Sequence, residues 1–362
     1  MPTNPIQKIR QTCSIVWKQR LAPHLLADRG LLAVILAIAL GLRIYFAFAS
    51  DIVPQHIDLI IHNRLAADGG FEMFEAPLYP MFLRGIYKLF GRFNYRAVFM
   101  IQGLFSFASV ALLYAASTRV CGRRIGLITA SLAAIFPDFI NYNQVISPVI
   151  LTVFAVTLLM YCAASGLRNK SSVYCSAAVF GLGILAYPPL LLFLPGFLIV
   201  TGKRLSFVII LIIILAPWAI RNSVKEHKFY PVYDLYTYSI DTSRLTHAED
   251  GWTIIERLYS NGTNIIGKRM DDQIEIELLK DRNSGRFLRA WVKLIITIAG
   301  LYGLIKHLRR NQLAIALPFI IYGFLIIMIT LVNASARMLL MPIWLLYTAI
   351  AVTGRCSEIS SA

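Results

Sequence analysis

Uninterrupted apolar stretches recur along almost the whole chain, most of them about 16 to 22 residues long. That is the length an α-helix needs to cross a hydrocarbon core of roughly 30 Å. Lipid offers no hydrogen-bond partner to a backbone N–H or C=O, so a segment that crosses it is either a helix or a strand of a closed barrel. Barrel strands, alternating in polarity over about ten residues, are absent. Composition agrees, with 57% apolar and only 15% charged residues against about 25% charged in soluble domains. The fold class expected is an all-α polytopic membrane protein.

The apolar stretches predict about ten transmembrane helices, at 31–49, 96–117, 125–137, 148–167, 172–187, 189–202, 205–220, 287–305, 312–332 and 338–353. The basic leader of 30 residues and Arg43 inside the first stretch favour a retained helix over a cleaved signal peptide, although Ala47-Phe48-Ala49 resembles a cleavage site. With the N-terminus inside, cytoplasmic segments carry 16 Lys and Arg and the short outer loops carry 6. This bias places both termini in the cytoplasm. Of the 19 acidic residues only Asp28 and Glu358 then fall inside, and none lies in the middle of a span. Proton relays and ion-coupled transporters need ionisable groups within the membrane, so a pump is disfavoured and carboxylate chemistry is expected on the outer face.

The domain organisation expected is a basic cytoplasmic leader (1–30), a transmembrane core (31–220) with a first outer loop (50–95), an extracytoplasmic subdomain (221–286), C-terminal spans (287–353) and a cytoplasmic tail (354–362). In the first outer loop, Ile57–Ala67 and Pro77–Phe90 are candidate helices. Arg84 and Lys88 of the second are four apart and share a face, as in a helix lying along a membrane interface. Within 221–286, Ile274–Lys280 is the candidate helix. The five cysteines have no metal-ligand spacing and fall in spans or on the inner side, so no disulfide is expected.

Few residues are placed to carry chemistry. Asp58 and His62 are four apart, hence on one face of a helix. A partly desolvated carboxylate there is a candidate general base; beside a His it is also half of a metal site, and a solvated polar face has the same pattern. Arg221, after Pro217-Trp218-Ala219-Ile220, and Arg337, in a short outer turn, either snorkel to headgroups or grip a phosphate with two parallel hydrogen bonds. Asn261-Gly262-Thr263 fits a glycosylation acceptor by chance. No Walker loop, dinucleotide glycine pattern, CxxC or HExxH occurs, so no cofactor, metal or nucleic acid is expected.

Taken together, these residues resemble the GT-C glycosyltransferases, especially the bacterial group related to protein mannosyltransferases and aminoarabinose transferases (glycosyltransferase family 39-like). Four landmarks stand in the family's order. They are IDLIIHNRLAADGG with Asp58, His62, Ala66 and Gly70; Pro77-Leu78-Tyr79-Pro80 followed by Phe90-Gly91; the exit Pro217-Trp218-x-x-Arg221-Asn222; and Ser335-Ala336-Arg337 before Pro342. The resemblance implies inverting transfer of a sugar from a polyprenyl-phosphate donor to a lipid, glycan or protein acceptor at the outer leaflet of an inner membrane. Asp58 would be the base, with His62 beside it, and Arg221 and Arg337 would stabilise the phosphate leaving group; Tyr79 and Asp138 are further candidates for substrate binding. The chain departs from the pattern in three places. Leu59 stands where a second acid is common, His62 where Tyr is, and no Glu lies near Ser147-Pro148, leaving Asp138 as the nearby acid. The alternative is a non-catalytic membrane protein that binds or helps move polyprenyl-linked glycans.

Overall fold

A computed structural model describes residues 22–49, 76–165, 170–201, 204–226, 284–307, 313–328 and 338–353. The helices among them are α1 (Ala22–Ala49), α2 (Leu78–Phe90), α3 (Tyr95–Cys121), α4 (Arg123–Ile135), α5 (Pro137–Asn141), α6 (Val149–Ala164), α7 (Lys170–Ala186), α8 (Leu194–Val200), α9 (Arg204–Glu226), α10 (Ser284–His307), α11 (Leu313–Met328) and α12 (Met341–Thr353). Short 3₁₀ turns occupy Tyr142–Gln144 and Pro188–Phe193. There is no strand among the described residues.

Among the described residues three helical stretches, Gly30–Ala49, Tyr95–Cys121 and Arg204–Val224, are long and apolar enough to cross a membrane. The bent pair Arg123–Ile135 and Pro137–Gln144 makes a fourth if it is counted as one span. The count of ten is therefore not reproduced, although shorter apolar helices, α6 and α12 among them, are present. Two predicted spans are broken by proline. The stretch expected at 125–137 stops at Ile135 and turns by 53° into α5, because the residue before Pro137 is pushed out of the helical region and Phe136 takes φ −63, ψ 121. The stretch expected at 189–202 begins as a 3₁₀ turn at Pro188-Pro189 and becomes α-helical at Leu194. The expected 205–220 runs on to Glu226, so the Pro217–Asn222 motif lies within a helix. The expected helices at Ile57–Ala67 and Ile274–Lys280 lie outside the described residues.

Helix α3 is the central element, packing on α1, α4 and α6, while α7 joins α6 to α9 and α12 packs on α10 and α4. Asn94 starts α3 by accepting the Ala97 N–H on its side chain at 3.1 Å, satisfying one of the first-turn donors. The α10–α12 crossing depends on two glycines: Gly300 faces the Trp344 carbonyl and Gly303 the Tyr347 carbonyl so closely that a Cβ would collide with them. Small residues at such crossings let backbones approach within a bilayer. Across the same crossing Thr348 Oγ1 donates to the Ile296 carbonyl at 2.9 Å.

The faces left uncovered are apolar, with Leu31, Val34, Ile38 and Phe48 on α1 and Ile209, Ile212, Ile213 and Val224 on α9 all exposed. Only hydrocarbon solvates such faces without penalty. Helix α2 differs. It buries Tyr79, Leu83, Ile86 and Tyr87 and exposes Lys88 together with Met81, Leu89 and Phe90, so its outer face mixes charge with apolar side chains. One cysteine expectation fails: among the described cysteines Cys121 is disulfide-bonded, while Cys162 and Cys175 are free. Spacing along a chain does not reveal which cysteines its helix ends bring together.

Candidate functional site

The break between α4 and α5 frees backbone carbonyls inside an apolar bundle, where each unpaired group is costly. Arg43 of α1 answers this. Its side chain is 1% exposed, and it donates from Nη1 to the Ala134 carbonyl at 3.1 Å and from Nη2 to the Ala133 carbonyl at 3.4 Å. It also donates from Nη1 to Ala39 O at 2.8 Å and from Nε to Ser106 Oγ at 2.9 Å. No carboxylate is among these partners. The charge sits at the C-terminal end of α4, where the helix dipole favours a cation. Ser106 in turn donates to the Phe139 carbonyl of α5 at 3.0 Å, so one network spans both sides of the bend.

One turn before Ser106 on the same face of α3, Gln102 is fully buried. Its amide nitrogen donates to Val145 O at 2.9 Å and to Tyr142 O at 3.5 Å. Its oxygen accepts from the Tyr79 hydroxyl at 3.2 Å. Tyr79, expected to touch substrate, is thus fully buried. Burial, with a smaller contribution from Tyr87, pushes its phenol well above the ordinary tyrosine range, so it acts as a neutral hydrogen-bond donor.

The segment Pro137–Ser147 is therefore held by its Phe139, Tyr142 and Val145 carbonyls from α3, while Arg43 of α1 holds the end of α4 just before it. Its side chains include Asp138, half-buried in the first turn of α5. Asn143 is 1% exposed, and neither atom of its amide has a hydrogen-bond partner among the described residues, against the more than nine in ten buried polar groups that are paired in native proteins.

Arg221 lies near the C-terminal end of α9, which packs on α7, with Phe180 against Phe207 and Gly181 against Ile214. Its guanidinium lies 4.5 Å from the Trp218 ring centre and donates to Asn222 Oδ1 at 3.1 Å, while Asn222 itself is buried. The P-W-x-x-R-N motif is thus a local unit in which an aromatic face and an amide hold one arginine. Asp58, His62 and Arg337 lie outside the described residues, so the structure neither joins them to Arg221 and Asp138 nor separates them. Among the described residues no three His, Cys, Asp or Glu gather as a metal site would require.

Sequence reading did not find Arg43's partners, Gln102, Ser106 or Asn143. The one available signal was Gln102 and Ser106 four apart inside a span, a polar stripe on an otherwise apolar helix.

The sequence model of the dolichyl-phosphate-mannose-protein mannosyltransferases matches residues 75–220, which takes in α2, the bent segment and most of α9. Among curated protein sequences none matches. In fold, the chain is similar to ArnT from Cupriavidus metallidurans bound to undecaprenyl phosphate, with a TM-score of 0.60 and 15% identity over 90% of this chain and 60% of that one. It is also similar to the oligosaccharyltransferase AglB from Archaeoglobus fulgidus in complex with an inhibitory peptide and a dolichol-phosphate, with a TM-score of 0.56 and 12% identity over 93% of this chain and 50% of that one. The fold is that of the GT-C membrane glycosyltransferases. Within them the chain resembles the protein-mannosyltransferase and aminoarabinose-transferase group, and it spans about 60% of the length of ArnT.

Proposed function

We propose that the chain is a GT-C glycosyltransferase of a bacterial inner membrane, moving a sugar from a polyprenyl-phosphate donor to a lipid, glycan or protein acceptor on the extracytoplasmic face. The observation that carries this reading is the mannosyltransferase match over 75–220, which includes both Pro77-Leu78-Tyr79-Pro80 and most of the Pro217–Asn222 unit. In this reading Asp58 removes the acceptor proton, with His62 on the same face. Arg221 and Arg337 meet the charge that develops on the departing phosphate, where a preorganised donor contributes most. Asp138 stands in for the absent second acid, and Tyr79 shapes the site from beneath.

The test is sugar transfer by membranes containing the full chain, supplied with radiolabelled polyprenyl-phosphate sugars. Asp58→Asn is expected to lower turnover by about 10²–10⁴ with insertion unchanged, and Asp138→Asn to do so as well if it has taken the second acid's role. Unchanged transfer by Asp58→Asn would remove it from the mechanism. Leu59 in place of an acid favours a second reading, a glycan-binding protein without turnover. It predicts donor binding but no product from any of the sugars.

A further inference from the structure

An arginine buried in a membrane span, with no carboxylate partner among the described residues, needs a reason, because such residues are costly and mark function by default. Replacing a buried ionic group by an apolar one of similar volume is often neutral or stabilising, so packing alone does not account for Arg43. Its bonds do. Two of them end on the last carbonyls of α4, and one ends on Ser106 Oγ, whose own proton goes to the Phe139 carbonyl of α5. The guanidinium thus touches one arm of the 53° bend directly and the other arm through one hydroxyl.

Besides this network, the bend is held by the Phe136–Phe139 ring contact and, further along, by the bonds of Gln102 to the Tyr142 and Val145 carbonyls. Pro137 removes the N–H that would continue the helix, and Phe136 is extended, so α5 has no helical bond of its own to fix its direction at that junction. Helix α5 carries Asp138 and leads directly into the turn with the buried Asn143 amide.

We propose that Arg43 is a positioning residue: through the Ala133 and Ala134 carbonyls and through Ser106 it sets the direction of α5 and so the placement of Asp138 and the Tyr142–Ser147 turn in the site. This rests on the reading of Asp138 as part of the lipid-phosphate donor site. A lysine offers one ammonium on a flexible stem instead of a planar fork of five donors. It can cap the α4 carbonyls, but it cannot hold them and Ser106 in one fixed geometry.

The experiment uses the full chain in nanodiscs. First, the thiol introduced by Asp138→Cys is labelled with a maleimide and followed by peptide mass spectrometry, with Arg43 intact, Arg43→Lys or Arg43→Met. Second, undecaprenyl phosphate binding is measured by native mass spectrometry with Asp138 intact, together with the thermal unfolding midpoint. Ser106→Ala and Ser106→Thr are carried through both.

Arg43→Lys and Arg43→Met are expected to change the labelling rate by about fivefold or more, the scale set by one net hydrogen bond, and to weaken lipid-phosphate binding in proteins that still unfold cooperatively. Ser106→Ala is expected to shift both readouts in the same direction, and Ser106→Thr, which keeps the hydroxyl, to restore them. A purely structural role would lower the unfolding midpoint and leave labelling and binding of the folded protein unmoved, and that result overturns the proposal. Should Arg43→Met fail to fold, identical behaviour of Ser106→Ala and Ser106→Thr overturns it equally. Labelling that shifts while even the parent protein binds no undecaprenyl phosphate supports the positioning role and overturns the lipid-phosphate reading.

Discussion

The Tyr79 hydroxyl donates to Gln102 Oε1 at 3.2 Å with both side chains fully buried and also shares a hydrogen bond with the Ser147 backbone, so α2 is tied to the 142–147 turn both through the Gln102 amide and directly. Removing one partner of a buried pair leaves the other unsatisfied, at about 1–3 kcal/mol. Tyr79→Phe should therefore lower stability by that amount, read as a drop in the thermal midpoint of the detergent-solubilised chain. Gln102→Leu should cost more, because it also strips the donor from the Tyr142 and Val145 carbonyls. Equal effects of the two changes would mean that the turn is not held by Gln102.

The α10–α12 crossing makes a sharper stability test. A Cβ on Gly303 would collide with the Tyr347 carbonyl oxygen, a backbone atom that cannot swing aside, whereas one on Gly41 of α1 meets nothing within 4 Å. Gly303→Ala should destabilise by about 1–3 kcal/mol, the usual cost of overpacking. Gly41→Ala should be neutral, or gain about 0.5–1 kcal/mol from its better helix propensity. Comparing the two midpoints separates steric cost from any general effect of adding a methyl group to a membrane helix.

The orientation proposed from the basic residues has its own check. Reporter fusions after Lys170 and after Arg310 should report cytoplasm, and one after Gly251 the opposite side. A cytoplasmic signal at Gly251 would invert the bundle and move Asp138 and Arg221 to the inner face.

How much of this was legible in the chain depends on what sets each feature. Helices α3 and α7 were readable to within a few residues, because an apolar run in lipid has no alternative to a helix. The bend at Phe136 and the 3₁₀ turn at Pro188–Phe193 were missed because hydropathy does not register the loss of one N–H, although Pro137, Pro188 and Pro189 were in plain view. Arg43 was read only as an argument against cleavage of the first stretch. Its meaning lies in carbonyls about ninety residues away, and no periodicity along α1 reports a partner at that distance. The Pro217–Asn222 motif was placed at a helix exit but lies inside α9, because apolar length alone marks where lipid ends and not where hydrogen bonding does.

The geometry of that motif sharpens what Arg221 should do. An arginine that merely reaches for headgroups is held by its stem and leaves its fork to solvent. Here the guanidinium is stacked 4.5 Å over Trp218 and bonded to the buried Asn222, an arrangement that fixes the plane of the fork before any phosphate arrives. Preorganised donors lose less freedom on binding, and arginine can engage a phosphate with two parallel bonds where lysine supplies a point charge. Undecaprenyl phosphate binding to the purified chain should therefore fall in the order parent, Arg221→Lys, Arg221→Ala. Trp218→Leu, which keeps the charge but removes the aromatic face, should weaken it by a smaller step, on the scale of the roughly 0.5–1 kcal/mol of an exposed cation–π contact. If Arg221→Lys binds as well as the parent, the fork is not used, and the phosphate contact must come from elsewhere in the chain.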